Sequence, residues 1–245
     1  LTHQVLFFRD QDLSPGELLS FSKRFGEPIV HPMVASMADF PGILEIVKNP
    51  ADRNNFGGSW HTDLSYLQRP ASISLLHATE VPDICGDTMF ANMYLAYEAL
   101  SKGMKNMLNG MHAVHDTSLI YLQDAQHSSG TIGDAGSMNR IRPADEHESA
   151  LHPVVRTHAQ TQRQALYVNC NFTLRFEEMT GAESQPLLDY LFTHLSRAEF
   201  TCRFKWTSAT VAMWDNRCTQ HYALNDYHGE RRVVRRVAIE GDRPC

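Results

Sequence analysis

The chain has 245 residues, 42% of them hydrophobic, and a formal net charge of -6 from 22 Lys+Arg against 28 Asp+Glu. That length supports one domain burying roughly three-quarters of its unfolded surface. The acidic balance, with no uninterrupted basic block, excludes nucleic acid as an expected partner. No run approaches about 18 consecutive apolar residues, so no membrane partner is expected. The five cysteines (Cys85, Cys170, Cys202, Cys218, Cys245) are far apart and form no Cys-x-x-Cys pair, which speaks against a disulfide framework or thiolate zinc site. A soluble, cytoplasmic protein in a reducing compartment is the expectation.

Val5-Leu6-Phe7-Phe8 is strand-like and follows closely on Leu1, which begins no signal peptide, so the N-terminus of the natural gene product is expected to be incomplete. Ser14-Pro15-Gly16-Glu17 places an N-cap serine, a first-turn proline and a glutamate ahead of Leu18, Leu19, Phe21 and Phe25, which predicts a helix start. Residues 43–47 form a predicted strand, and 51–59 (ADRNNFGGS) a glycine-bearing loop that delivers Trp60-His61. Short strands are expected at 73–78 and 87–91, and Asn92 caps a helix predicted to run through Leu95, Leu100, Met104 and Leu108. Residues 118–148 are rich in Ser, Gly, Asp, Gln and His, which predicts a long lid loop. Further strands are expected at 154–155, 164–169, 200–206, 210–214 and 231–240, with one helix near 186–195. Many short strands and few helices predict a mainly β fold, a double-stranded β-helix (jelly roll) with peripheral helices, spanning 1–245 as one domain.

Two imidazoles and a carboxylate form the ligand set that holds a divalent iron on one face and leaves the opposite positions open. His61-Thr62-Asp63 and the distant His221 offer that set. On a strand, His61 and Asp63 would share a face with Cα atoms roughly 6–7 Å apart. In Arg231 to Ile239, alternation puts Arg232, Val234, Arg236 and Ala238 on one face. If that face is interior, the two guanidinium groups require anions to offset their desolvation; otherwise the segment is an edge strand with exposed arginines, or the arginines pair with buried carboxylates.

The blocks Trp60-His61-Thr62-Asp63, Gly86-Asp87-Thr88, Tyr167-Val168-Asn169 with Phe172-Thr173, Trp214-Asp215-Asn216-Arg217 with Gln220-His221, Asp226-Tyr227, and Arg232-x-x-Arg235-Arg236 with Gly241-Asp242-Arg243-Pro244 occur in order over nearly the whole chain. In these blocks it resembles the taurine dioxygenase (TauD/TfdA) family of iron(II)- and 2-oxoglutarate-dependent oxygenases. The resemblance implies that His61, Asp63 and His221 ligate Fe(II), with 2-oxoglutarate and O2 as co-substrates. It implies that Thr88 and Arg232 contact 2-oxoglutarate, Arg232 at the distal carboxylate. It also implies that Arg236, His31 and Phe172 line the site of a small anionic organic substrate.

Two positions depart from taurine dioxygenase, which has a tyrosine where this chain has Val34 and an asparagine where it has Gly57. Taurine is therefore expected to be a poor substrate, and a larger or more apolar anion, such as an alkyl sulfate, another organosulfonate or an aryloxyalkanoate, a better one. The competing readings are a non-catalytic metal-binding jelly roll and a cupin-type metal hydrolase or isomerase. The oligomeric state is left open, a homo-oligomer included.

Overall fold

A computed structural model of the chain describes residues 1–119 and 147–245. The lid loop expected over 118–148 lies, apart from its two ends, outside the described residues. The strands are β1 (Val5–Phe8), β2 (Ile43–Lys48), β3 (Ala71–Glu80), β4 (Thr88–Asn92), β5 (His112–Asp116), β6 (Ser149–Pro153) and β7 (Val155–Thr157). They continue with β8 (Gln164–Leu166), β9 (Thr173–Phe176), β10 (Thr201–Phe204), β11 (Thr210–Asp215), β12 (Thr219–Ala223) and β13 (Arg232–Glu240).

A five-stranded antiparallel sheet in the order β1-β11-β3-β13-β2 faces a three-stranded sheet, β10-β4-β12. Ile46, Leu76, Ala78, Trp214 and Val234 of the larger sheet pack with Phe90 and Phe204 of the smaller one, forming the core of a jelly roll. Sheet β6-β5-β9 and the pair β7-β8 extend the fold to one side.

The arginine alternation on β13 is an interior one. The strand sits between β3 and β2, not at an edge, and Arg232 and Arg236 are both buried. Arg235, between them in the alternation, turns outward to Glu45 at 3.2 Å. The register sets Arg232 opposite Lys48, Val234 opposite Ile46 and Arg236 opposite Leu44, so these pairs share the interior face.

Helix α1 (Pro15–Ser22) begins with the expected capping box of Ser14 and Glu17. Its Leu18 packs with Ile43, Leu75 and Val237 on the outer face of the large sheet. The single helix expected after Asn92 is two, α2 (Met93–Glu98) and α3 (Lys102–Leu108), because the Ser101 hydroxyl accepts from Met104 N at 3.2 Å and starts a new helix. Helix α4 (Gly181–Leu195) starts earlier than the expected 186, at a capping box of Thr180 and Glu183. Among the described residues no helix is long and apolar enough to cross a membrane.

Candidate active site

The loop from residue 49 to 60 is tied to β12 before it reaches the site. Asn55 Nδ2 donates to Ala223 O at 2.8 Å, and Ala223 N to Gly57 O at 2.9 Å. Gly57 has φ +76°, and a Cβ there would lie 3.1 Å from His61 Cε1, so glycine is the residue this approach permits. His61 then pairs with His221 through two backbone hydrogen bonds of 3.1 and 2.9 Å, in effect adding one rung to the small sheet. Asp63 lies in a turn, not on a strand, and Leu64 after it has φ +56°. Strand alternation therefore does not bring His61 and Asp63 together. The Asn216 side chain does part of that work, accepting from Asp63 N at 3.3 Å.

The ligand atoms of His61, Asp63 and His221 lie within 4.8 Å of one another, and all three residues are buried. Nε2 of His61 is 3.8 Å and Nε2 of His221 4.0 Å from Asp63 Oδ1. His61 Nδ1 lies 2.8 Å from Ser59 O, which assigns the proton to Nδ1 and leaves the Nε2 lone pair facing inward. Burial pushes the His61 imidazole below its ordinary pKa, and burial with repulsion from His61 takes His221 down to about 3, so both rings are neutral at pH 7. Burial alone would raise the Asp63 carboxyl. Arg236, followed by His221, His61 and the Ser74 hydroxyl, outweighs it and holds the carboxyl well below the usual carboxylate range. Two bare imidazole nitrogens and an ionised carboxylate converging in the interior are a donor set that fits a divalent cation.

Outer partners fix the carboxylate. Ser74 Oγ donates to Asp63 Oδ2 at 2.6 Å, and Asn216 Nδ2 donates to that same hydroxyl oxygen at 2.8 Å. Trp214 Nε1 in turn holds Asn216 Oδ1 at 3.0 Å. Arg236 Nη1 donates to Asp63 Oδ1 at 2.6 Å, while its Nε is buried without a partner. The arginine expected at the substrate anion thus also touches a member of the triad.

Thr88 is buried on β4, and its hydroxyl oxygen accepts from Trp206 Nε1 at 2.9 Å, leaving its proton for another acceptor. The Arg232 guanidinium lies 5.8 Å from the Trp206 ring, and its Nε and Nη2 are buried without hydrogen-bond partners among the described residues. His31 accepts from Met33 N through Nδ1 at 3.1 Å and lies 3.4 Å from the Tyr66 hydroxyl through Nε2. Its burial, with the nearby Arg236 charge, takes it down to about 3. His31, Leu44, Leu64, Arg236 and Ala238 line a recess beside the triad. Phe172 packs on the Tyr66 ring at 5.0 Å in the core and approaches the His61 ring at 6.5 Å.

Ser74, Asn216, Tyr66, Lys48 and Tyr227 were not singled out from the sequence. Asn216 and Tyr227 sit in quoted blocks and could have been found there; Ser74 and Lys48 carry no motif and are placed by strand register, and Tyr66 by the turn that follows Asp63.

A second group of metal-ligand types, His158, Asp215 and Cys218, is also buried. Arg217 Nε and Nη2 occupy the two Asp215 oxygens, each at 2.7 Å, and His158 Nε2 adds a 3.0 Å contact. Burial pushes the Cys218 thiol up to about 12. A saturated carboxylate and a protonated thiol make this an ion pair that braces the turn between β11 and β12 and so positions His221.

Residues 1–238 match the family described as taurine catabolism dioxygenase TauD, TfdA family. The alkylsulfatase of Acinetobacter baylyi is 34% identical over 243 residues, 99% of this chain and 74% of that protein. The alpha-ketoglutarate-dependent sulfate ester dioxygenase of Pseudomonas putida is 34% identical over 246 residues, 99% of this chain and 78% of that protein. A taurine dioxygenase structure from Burkholderia xenovorans superposes with a TM-score of 0.78 at 32% identity, covering 98% of this chain and 77% of the other. These matches favour an oxygenase over a hydrolase, an isomerase or a non-catalytic jelly roll, and with residues 1–238 matching the family model they make the chain a member of the TauD/TfdA dioxygenase family.

Proposed function

We propose that this protein is an iron(II)- and 2-oxoglutarate-dependent dioxygenase of the cytoplasm that oxidises a small organic anion, an alkyl sulfate before an organosulfonate or aryloxyalkanoate. The observation that carries this reading is the convergence of His61, Asp63 and His221 in one interior that also holds the buried Arg232, whose Nε and Nη2 have no partner among the described residues. His61, Asp63 and His221 would hold the iron. With 2-oxoglutarate and dioxygen, bound iron supplies the oxidising power that yields succinate, carbon dioxide and one oxygen atom inserted at a substrate C–H bond.

The chain's own residues supply position. Arg232 receives the distal carboxylate of the keto acid, and the Thr88 hydroxyl donates its proton to the same molecule. Arg236 offers its Nε to the substrate anion, while Leu44, Leu64 and Ala238 give that recess aliphatic walls that suit an alkyl chain. Hydroxylation of the carbon that bears a sulfate ester leaves a product that falls apart to an aldehyde and inorganic sulfate. The names of the two sulfate-ester relatives and the Val34 and Gly57 departures support this substrate order.

A panel of alkyl sulfates, organosulfonates, aryloxy acids and taurine, scored by succinate release and oxygen uptake, tests it. Alkyl sulfates of medium chain length should give the highest turnover and taurine among the lowest. Turnover of taurine equal to the best sulfate ester would refute the substrate assignment, and the absence of any 2-oxoglutarate-dependent oxygen uptake would refute the reaction.

A further inference from the structure

We propose that Lys48 is a second cationic contact for the distal carboxylate of 2-oxoglutarate, set beside Arg232 across the β2–β13 ladder. The inference rests on the co-substrate reading of Arg232. Residues directly opposite each other in an antiparallel ladder point to the same face with Cβ atoms roughly 4.5–5.5 Å apart. Lys48 and Arg232 are such a pair, both buried, at the end of the interior face that also carries Ile46 and Val234.

Among the described residues, several of their polar atoms lack hydrogen-bond partners. Lys48 Nζ is buried with no hydrogen bond, and so are Arg232 Nε and Nη2. Lys48 Nζ lies 4.2 Å from the centroid of the Tyr227 ring, and the Tyr227 hydroxyl is a polar neighbour of the Arg232 guanidinium, so one tyrosine touches both cations. A π-face softens the desolvation of an ammonium but does not replace an anion. Asp87, the acid whose field reaches Arg232, gives its Oδ2 to Arg203 at 2.6 Å. Asp52 acts on Lys48 but makes no hydrogen bond to its Nζ.

Two buried cations on one interior face, with no carboxylate among the described residues hydrogen-bonded to either, oppose folding in the ligand-free protein and favour an anion that enters between them. The keto acid brings a carboxylate to this end of the interior, and Thr88 and Trp206, linked by a 2.9 Å hydrogen bond, stand near the same guanidinium. A single guanidinium would suffice to hold one carboxylate. The added ammonium makes the pocket select a dicarboxylate over a keto acid that ends in a methyl group.

The test compares Lys48→Met and Arg232→Met with the parent protein, loaded with Mn(II), by calorimetric titration of N-oxalylglycine and by the melting temperature with and without that ligand. Lys48→Met should raise the melting temperature of the ligand-free protein and weaken N-oxalylglycine binding by roughly tenfold to a hundredfold, the loss of one charge-assisted hydrogen bond. In turnover, the KM for 2-oxoglutarate should rise with kcat largely kept, and any slow reaction with 2-oxobutyrate, which has no distal carboxylate, should be unchanged. If Arg232→Met weakens N-oxalylglycine and Lys48→Met does not, the lysine is structural and the proposal is overturned. If neither variant weakens it, the co-substrate pocket itself has been misplaced.

Discussion

Two buried aspartates in this protein, Asp63 and Asp215, each have an arginine and a histidine for neighbours, and they do different work. Asp215 gives Oδ1 to Arg217 Nε and backbone N and Oδ2 to Arg217 Nη2 and His158, so every side of the carboxylate is filled. Asp63 meets one arginine nitrogen and one serine hydroxyl, and the Nε2 atoms of His61 and His221 stand 3.8 and 4.0 Å from Oδ1, the His61 one facing it with its lone pair. A closed set of donors makes a brace, whereas a set of acceptors facing one another makes a cation site. Identity of the residues does not distinguish the two; the direction of the hydrogen bonds does.

Replacing each aspartate by asparagine should separate these roles. Asp63→Asn keeps an acceptor for Arg236 but removes the carboxylate that balances that buried guanidinium, so the metal-free protein should lose stability as well, and turnover is compared where it is folded. Its succinate formation should fall by more than the roughly 10–100-fold that loss of an outer partner costs, because a ligand itself has lost its charge. Asp215→Asn turns an amide toward donors on either side and leaves Arg217 unbalanced. It should lower stability by about 3–5 kcal/mol in urea unfolding, as breaking a buried pair does. Equal turnover losses in the two variants under conditions where both are folded would erase the distinction.

The Asp63 side of the comparison can be sharpened through Ser74. Ser74→Ala removes the 2.6 Å hydrogen bond to Asp63 Oδ2 and a partner of Asn216, but no ligand. Metal affinity should fall by roughly 10–100-fold, with saturating metal restoring most of the turnover. Failure of excess iron to rescue the variant would mean that the serine acts on something other than the carboxylate.

Much of this was legible in the chain. The β13 alternation put Arg232 and Arg236 on one face because period-2 patterning survives in any strand, but the place of β13 between β3 and β2 decides that the face is interior, and the Ser14 box marked α1 because its chemistry is local. Asp63 was placed correctly for the wrong reason. Its strand does not continue past His61, and a turn at Leu64 with Asn216, far away in sequence, does the holding. Ser74 and Lys48 were invisible because their roles arise from strand register, which no local pattern encodes. The break between α2 and α3 lay in plain view at Ser101, masked by an apolar periodicity that ran on across it.

The same contrast extends to the buried histidine pairs, with the smallest expected effect. His61 and His221 share a carboxylate, whereas His115 and His152, with ring centroids 5.3 Å apart, meet a serine hydroxyl at 3.0 Å and a backbone carbonyl at 2.9 Å. Burial takes His115 down to about 3 and His152 to about 4. The unfolded chain takes up a proton at each histidine near pH 6.5, while the folded one stays neutral down to those values. Stability must therefore fall as pH drops from 6.5 toward 4, at about 1.4 kcal/mol per pH unit for each proton. Asp215, depressed to about 2, loses its contribution only below about pH 4, so it does not enter this window. Urea unfolding of the metal-free protein between pH 6 and 4.5 should report proton uptake, and His115→Gln should reduce it by about one proton whatever it does to absolute stability. An unchanged slope in that variant would mean that His115 is already charged in the folded protein, with a counterion beside it that turns the second pair into a binding site like the first.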